Sequence, residues 1–485
     1  MITFTLCLLV LIAGYFIYGR FVERIFKPDN RPTPVSVHAD GVDYIPMPAW
    51  KIFMIQFLNI AGLGPIFGAI MGAQFGTASY IWIVVGTIFA GGVHDYISGM
   101  LSIRHSGESL PEIIGRYLGL NVKQIARIFT IVLMVLVAAV FVSGPAGLLA
   151  GITSKELDAG FWIVVIFLYY VLAVLLPIDK IIGKIYPVFA IALLFMAFGI
   201  LTMLFWHHPA LPELTDAIVS KKVIHPIFPM MFVSIACGAI SGFHATQSPL
   251  MARCMTNEKQ GRTIFYGAMV AEGIVALIWA AAATYFFDKN GISYLSEGKE
   301  ILYTGADVAS QISKDWLRTF GGILAILGIV AAPISTGDTA LRSARLIVAD
   351  ILHLEQKSIS KRLLVSIPIF LITIGILFYS LRDKEGFNII WRYFAWSNQT
   401  LSVFTLWAIT VYLIRKSKPY WLSLIPALFM TAVCVTYICV APEGFNLPEI
   451  ISYSIGGICV IISAIWFIFW KKRYSLKHEY EQRIR

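Results

Sequence analysis

The chain has 485 residues, 58% of them hydrophobic and 14% charged, with a mean hydropathy of +0.77. Soluble domains carry about 25% charged residues, so this composition excludes a disordered chain, a coiled coil, a collagen and a soluble globule of this length. The formal charge of +10 does not point to nucleic acid: the basic residues sit in short loops between apolar runs, where they set membrane orientation.

A spanning helix needs about 20 apolar residues, and the chain predicts thirteen such runs: 2–19, 50–74, 79–103, 125–152, 161–178, 186–206, 226–253, 262–287, 318–350, 362–381, 389–414, 420–440 and 449–470. These runs are too long and continuous for the alternating strands of a membrane barrel. The first lacks a basic start and an A-x-A cleavage site, so it reads as a retained helix rather than a signal peptide. The 318–350 run exceeds one simple span, and its C-terminal part is expected to emerge from the bilayer. Placing the loop 20–49 inside and alternating from there puts most of the 38 Lys and Arg on the inner side. That bias predicts an outside N-terminus and a cytoplasmic C-terminus with Lys471, Lys472 and Arg473. The six cysteines (Cys7, Cys237, Cys254, Cys434, Cys439 and Cys459) lie in or at the ends of apolar runs and read as packing residues, not a disulfide frame or a metal site.

A repeat organises these runs. Residues 1–49 form an extra N-terminal helix and a cytoplasmic loop, and 415–485 form two C-terminal helices and a basic tail. Between them lie five runs in 50–206 and five in 226–414. Each half opens with a helix interrupted by Gly and Pro, at Asn59–Pro65 and at Gly238–Pro249. Five is odd, so the halves are inverted. Each has its longer polar connection after its second helix (104–124 and 288–317), with amphipathic stretches at Leu110–Leu118 and Ala306–Leu317. Unwound backbone in hydrocarbon costs several kcal/mol per unpaired group, so paired interruptions at matching positions point to a transporter binding site. The competing reading is that Gly and Pro merely permit close helix packing.

Few polar groups sit inside the runs, and each is expensive there. The segment Pro333–Thr339 offers Ser335, Thr336, Asp338 and Thr339 as oxygen ligands for Na⁺, or Asp338 as a proton carrier; the structural alternative pairs Asp338 with Arg342. His244 lies in the second interruption, where it can meet a substrate carboxylate or titrate. Glu272 is a mid-depth carboxylate and a candidate proton carrier. His94 and Asp95 lie toward the cytoplasmic end of their run, where one of them can pair with a basic loop residue such as Arg104; Asp95 reads as a gating residue rather than a substrate contact. Gln56, Asn59, Ser397, Asn398 and Gln399 fit substrate binding or interhelical hydrogen bonds about equally. Trp50 and Trp391 mark span ends. No phosphate-binding Gly-rich loop ending in Lys-Ser or Lys-Thr, no HExxH and no GxSxG is present, so neither ATP-driven transport nor an enzyme is expected.

The stretches NIAGLGPIFGAIMGAQFG (59–76), HDYISGMLSIRHSGESLPEIIGRYLG (94–119), ACGAISGFHATQSP (236–249), GRTIFYGAMVAEG (261–273), STGDTALRSARLIVAD (335–350) and SNQTLSVFTLWAITVYL (397–413) closely resemble the carbon starvation protein A (CstA) family. The resemblance implies a bacterial inner-membrane transporter tied to nutrient limitation that moves peptides or pyruvate with protons. It also implies kinship with the amino acid–polyamine–organocation group and its leucine-transporter-type 5+5 inverted repeat. In that fold the eighth core helix, here carrying Asp338, meets the first broken helix at an ion site. Many family members are markedly longer than this chain.

The expected fold class is therefore an all-α polytopic membrane protein. The expected function is secondary active symport, with substrate bound at midplane by Asn59, Gly62, Gly64, Pro65, Ser241, Gly242, His244, Gln247 and Asn398. Ion coupling is expected at Asp338, Ser335, Thr336, Thr339 and Glu272, and gating at Asp95. The expected partners are a small-molecule substrate and the lipid bilayer, without nucleic acid and without a cofactor or metal beyond a coupling ion, H⁺ or Na⁺. A channel, a nutrient sensor and an intramembrane enzyme are the alternatives.

Overall fold

A computed structural model describes residues 1–154, 156–175, 182–214, 226–296, 299–356, 358–382 and 386–484. The last residues of the predicted 161–178 run, and parts of the segments joining the two halves and linking 288 to 317, lie outside these. Among the described residues the regular structure is helical except for two strands, β1 (Ser293–Ser296) and β2 (Lys299–Leu302), paired antiparallel in the connection expected to be merely polar.

Apart from one short turn of helix at Pro34–His38, the helices run in order as α1 (Ile2–Phe26), α2 (Ala49–Ile60), α3 (Gly64–Phe75), α4 (Thr77–Arg104), α5 (Leu110–Leu118) and α6 (Leu120–Ala150). Then follow α7 (Ala159–Leu175), α8 (Ile182–His207), α9 (Ile227–Ser234), α10 (Gly242–Ala252) and α11 (Glu258–Asn290). The last five are α12 (Gly305–Leu352), α13 (Ile359–Arg382), α14 (Gly386–Arg415), α15 (Trp421–Val440) and α16 (Glu449–Ile484). Among the described residues, eight helices are long and apolar enough to cross a membrane, or nine if α2 and α3, bent by 54° at their junction, form one span. The remaining predicted runs are helical too, but α9 and α10 are short halves of a broken run, and α14 carries buried polar residues that lower its hydropathy.

The 48 residues of α12 are not one straight rod. A Cβ on Gly322 would sit 3.1 Å from the Cα of Lys314, whereas eight residues of straight helix rise about 12 Å. The amphipathic start of α12 therefore doubles back before the apolar stretch begins, which separates the two parts where the sequence places a boundary. Small residues set the close approaches. A Cβ on Gly328 would lie 2.7 Å from the carbonyl oxygen of Ala192 in α8, and one on Gly337 would collide with the ring of Tyr170 in α7. The two interruptions, α2–α3 and α9–α10, lie side by side in the centre: a Cβ on Gly68 would come within 2.7 Å of the Ser234 carbonyl oxygen, and one on Gly64 would overlap the side chain of Cys237.

Candidate functional site

The first interruption arises where α2 loses its helical bonds after Ala61, whose N–H still reaches Phe57 O at 2.8 Å. The chain restarts at Gly64 with Pro65 in the first turn, where the missing N–H leaves nothing unpaired. Gly62 has no room for a side chain, since a Cβ there would lie 2.7 Å from the ring of Phe141 and 3.2 Å from Thr336 Oγ1. The second interruption is displaced from the expected 238–249. Residues 235–241 are unwound, and 242–252 form α10, so His244, Gln247 and Pro249 ride on a helix. The reason is a cap supplied by another helix: Asn398 Oδ1 on α14 accepts from Phe243 N (2.7 Å) and from Ser241 Oγ (2.9 Å), and starts α10 at Gly242.

Side chains also serve the unwound carbonyls. Thr87 Oγ1 donates to Gly238 O (3.0 Å) and Gln399 Nε2 to Ile240 O (3.1 Å). The backbone groups expected to grip a ligand are thus partly held by neighbouring helices.

His244 stands at the centre of the site. Its Nδ1 lies 2.8 Å from Asp95 Oδ2, and its Nε2 lies 3.3 Å from Glu272 Oε2, outside hydrogen-bond geometry. Asp95 Oδ1 takes a second imidazole, His94 Nδ1, at 2.7 Å. All four residues are fully buried. Asp95 is therefore part of the central cluster and not a partner of Arg104, which reaches Glu258 Oε1 (2.8 Å) and the hydroxyl of Tyr412 (3.1 Å) instead. Cys237, read from the sequence as packing, joins the cluster: its Sγ, an imidazole nitrogen of His244 and a carboxylate oxygen of Glu272 all lie within 4.8 Å of one another. Asn398 Nδ2 donates to that sulfur at 3.3 Å. Several further buried polar atoms at the interruptions have no protein partner, among them both side-chain heteroatoms of Gln56, Asn59 Nδ2, Gln247 Oε1 and Gln399 Oε1.

A second cluster lies along α12. Tyr186 OH bonds both Asp338 Oδ1 and Ser335 O, the latter at 2.6 Å. A phenol has one proton and a carbonyl can only accept, so both bonds form at full strength when Asp338 carries a proton and donates to the phenolic oxygen. The hydroxyls around it are engaged. Ser335 Oγ donates to Ala332 O (2.6 Å), Thr336 Oγ1 to Leu58 O (3.1 Å) and Thr339 Oγ1 to Asn59 Oδ1 (3.3 Å), which ties α12 to the end of α2. Arg342, the suggested partner of Asp338, bonds Asp43 Oδ1 (3.0 Å) and Ala173 O (2.6 Å).

A family model for the carbon starvation protein CstA matches residues 1–154, 147–320 and 296–437. The chain belongs to the CstA family. Among its CstA relatives, the peptide transporter CstA of Bacillus subtilis is 26% identical over 96% of this chain and 94% of its own length. A Haemophilus influenzae membrane protein is 44% identical over 59% of this chain and 92% of its own. Two solved structures show the same fold. A manganese transporter of Eremococcus coleocola has a TM-score of 0.55 at 14% identity, covering 90% of this chain and 98% of its own. A Na⁺-coupled sialic acid symporter has a TM-score of 0.57 at 15% identity, covering 93% and 96%. This CstA chain is thus a multi-pass helical membrane protein with the fold of known transporters.

Proposed function

We propose that this CstA protein is a proton-coupled symporter that imports small carboxylate-bearing nutrients, peptides or pyruvate, across the bacterial inner membrane under carbon starvation. The observation that carries the reading is His244: an imidazole buried where the two interruptions meet, held between the carboxylates of Asp95 and Glu272. Such a trio relays a proton between two acids on different helices, and it can do so only if substrate or helix movement alters one of the contacts. In this reading Asp95 belongs to the relay rather than to a gate.

The architecture in this proposal is thirteen spans: a 5+5 inverted repeat of 50–206 and 226–414, one helix before it and two after, an outside N-terminus and a cytoplasmic C-terminus. Substrate binds between the interruptions, near Asn59, Gly62, Gly64, Pro65, Ser241, Gly242, Gln247 and Asn398. The N-terminal ends of α3 and α10 face its carboxylate. Asp338, with Ser335, Thr336 and Thr339, supplies the second proton-binding point, supported by the proton count at Tyr186. The test is uptake of labelled pyruvate and dipeptides into proteoliposomes under imposed pH and Na⁺ gradients. Accumulation driven by an inward proton gradient, and reduced at least tenfold in Glu272→Gln, is expected. Accumulation indifferent to every ion gradient would overturn the proposal.

A further inference from the structure

We infer that Cys237, His244 and Glu272 form a binding site for a divalent ion of the zinc class, with Asp95 and Asn398 as its supporting shell. The three donors are a sulfur, an imidazole nitrogen and a carboxylate oxygen, mutually within 4.8 Å and all buried. Three protein ligands and one open position describe a tetrahedral ion that can still exchange a ligand. Sulfur among the donors selects against Mg²⁺ and Ca²⁺, which take oxygen ligands alone.

Two features go beyond mere proximity. First, Asp95 fixes which nitrogen a neutral His244 leaves free. With Nδ1–H donated to Asp95 Oδ2 at 2.8 Å, His244 presents the Nε2 lone pair to Glu272, the carboxylate–histidine–metal arrangement of many metal sites. Second, that lone pair and Glu272 Oε2 lie 3.3 Å apart with no hydrogen bond between them, and neither Glu272 oxygen has another donor. Two electron-rich atoms so placed can share a divalent cation, and the separation is about the nitrogen–oxygen edge of a tetrahedral zinc site with bonds of about 2.0 Å. The sulfur needs to close by roughly 1 Å to bind at about 2.3 Å. Cys237 lies in the unwound segment 235–241, where a single turn closed on Ala236 O by Ala239 N (3.4 Å) and Ile240 N (3.1 Å), rather than continuous helix, holds it. Binding displaces the thiol proton to solvent, and Asn398 Nδ2, 3.3 Å from the sulfur, is placed to stabilise the thiolate. The bound ion would fasten the interruption to α11 and so restrain their relative movement.

The test is titration of purified, detergent-solubilised full-length protein with Co²⁺ as a coloured stand-in for Zn²⁺. One equivalent is expected to produce tetrahedral visible bands and a near-ultraviolet sulfur-to-cobalt band. Cys237→Ser is expected to lose the near-ultraviolet band, and Asp95→Asn to weaken Zn²⁺ affinity about 10–100-fold. The Co²⁺ bands are read without transport, so they stand or fall independently of the symport proposal. X-ray absorption on the unaltered protein loaded with Zn²⁺ is expected to show one sulfur with nitrogen or oxygen ligands, whatever the folding of the variants. A coordination shell without sulfur, the absence of stoichiometric Co²⁺ binding, or a sulfur band that survives Cys237→Ser would overturn the inference.

Discussion

At the scale of single residues, Asp338 combines burial with a hydrogen-bond pattern suited to its protonated form. Asparagine reproduces that form: its amide can donate to Tyr186 as a carboxylic acid does, but it cannot release a proton. Asp338→Asn is therefore expected to melt close to the wild type in detergent while losing pH-gradient-driven accumulation. Substrate exchange without a gradient should persist. Asp338→Ala removes the partner altogether and should cost about 1–3 kcal/mol of stability, seen as a lower melting temperature. Gradient-driven accumulation by Asp338→Asn equal to the wild type would remove Asp338 from the coupling scheme. Asp338, His244 and Glu272 were legible because a buried ionisable side chain in a long apolar run stands out in any membrane sequence. The place of Cys237 beside His244 and Glu272 was not. It is seven residues from His244 across an unwound segment and 35 from Glu272 on another helix, so no helical or metal-motif spacing could reveal it.

At the scale of elements, α10 depends on α14 for its first turn. Asn398 caps it, and Gly242 packs directly on α14 backbone: a Cβ there would lie 2.6 Å from both Asn398 O and Leu401 C. Backbone cannot swing aside as a side chain can, so Gly242→Ala is expected to destabilise the protein by about 1–3 kcal/mol. Asn398→Ala should cost about 0.5–2 kcal/mol through the lost cap. Gly147→Ala is the control, because nothing lies within 4 Å of its added methyl. Thermal melts in one detergent compare the three, and a Gly242→Ala melt equal to that of Gly147→Ala would refute the packing argument. The existence of both interruptions was readable from their Gly and Pro content, but their edges were not. The sequence reading extended the second interruption to Pro249; the helix instead begins at Gly242, because a residue 156 positions away supplies the cap. The fold-back in α12 was partly legible, as an amphipathic stretch followed by an apolar one. The β1–β2 hairpin was not, lacking an Asn-Gly or Asp-Gly turn.

At the scale of the molecule, the loop between α1 and α2 is bound into the bundle rather than draped over it. Asp40 Oδ1 accepts from the N–H groups of Val42, Asp43 and Tyr44 at 2.8–2.9 Å, a tight turn that aims Asp43 inward. There its carboxylate meets Arg342 Nη1 at 3.0 Å and Arg345 Nη2 at 3.2 Å, two guanidiniums that are fully buried. Arg342 continues to Ala173 O, so one network joins the loop, α12 and α7. Burial disfavours the Asp43 charge, but the guanidiniums of Arg345, Arg342 and Arg253 outweigh it and hold the pKa below the ordinary carboxylate value. A carboxyl whose folded pKa is depressed stabilises the fold above its unfolded pKa, about 3.9, and that contribution is lost as pH falls through the folded value. Asp43→Asn leaves two buried cations short of their counter-charge, at a cost of about 3–5 kcal/mol near neutral pH. The stability gap between wild type and Asp43→Asn should therefore stay constant from about pH 7 to 5 and narrow only in stronger acid, below about pH 4. Melting both proteins across that range checks it. A gap that is absent at neutral pH, or that widens as acid is added, would show that this loop is not fastened by charge.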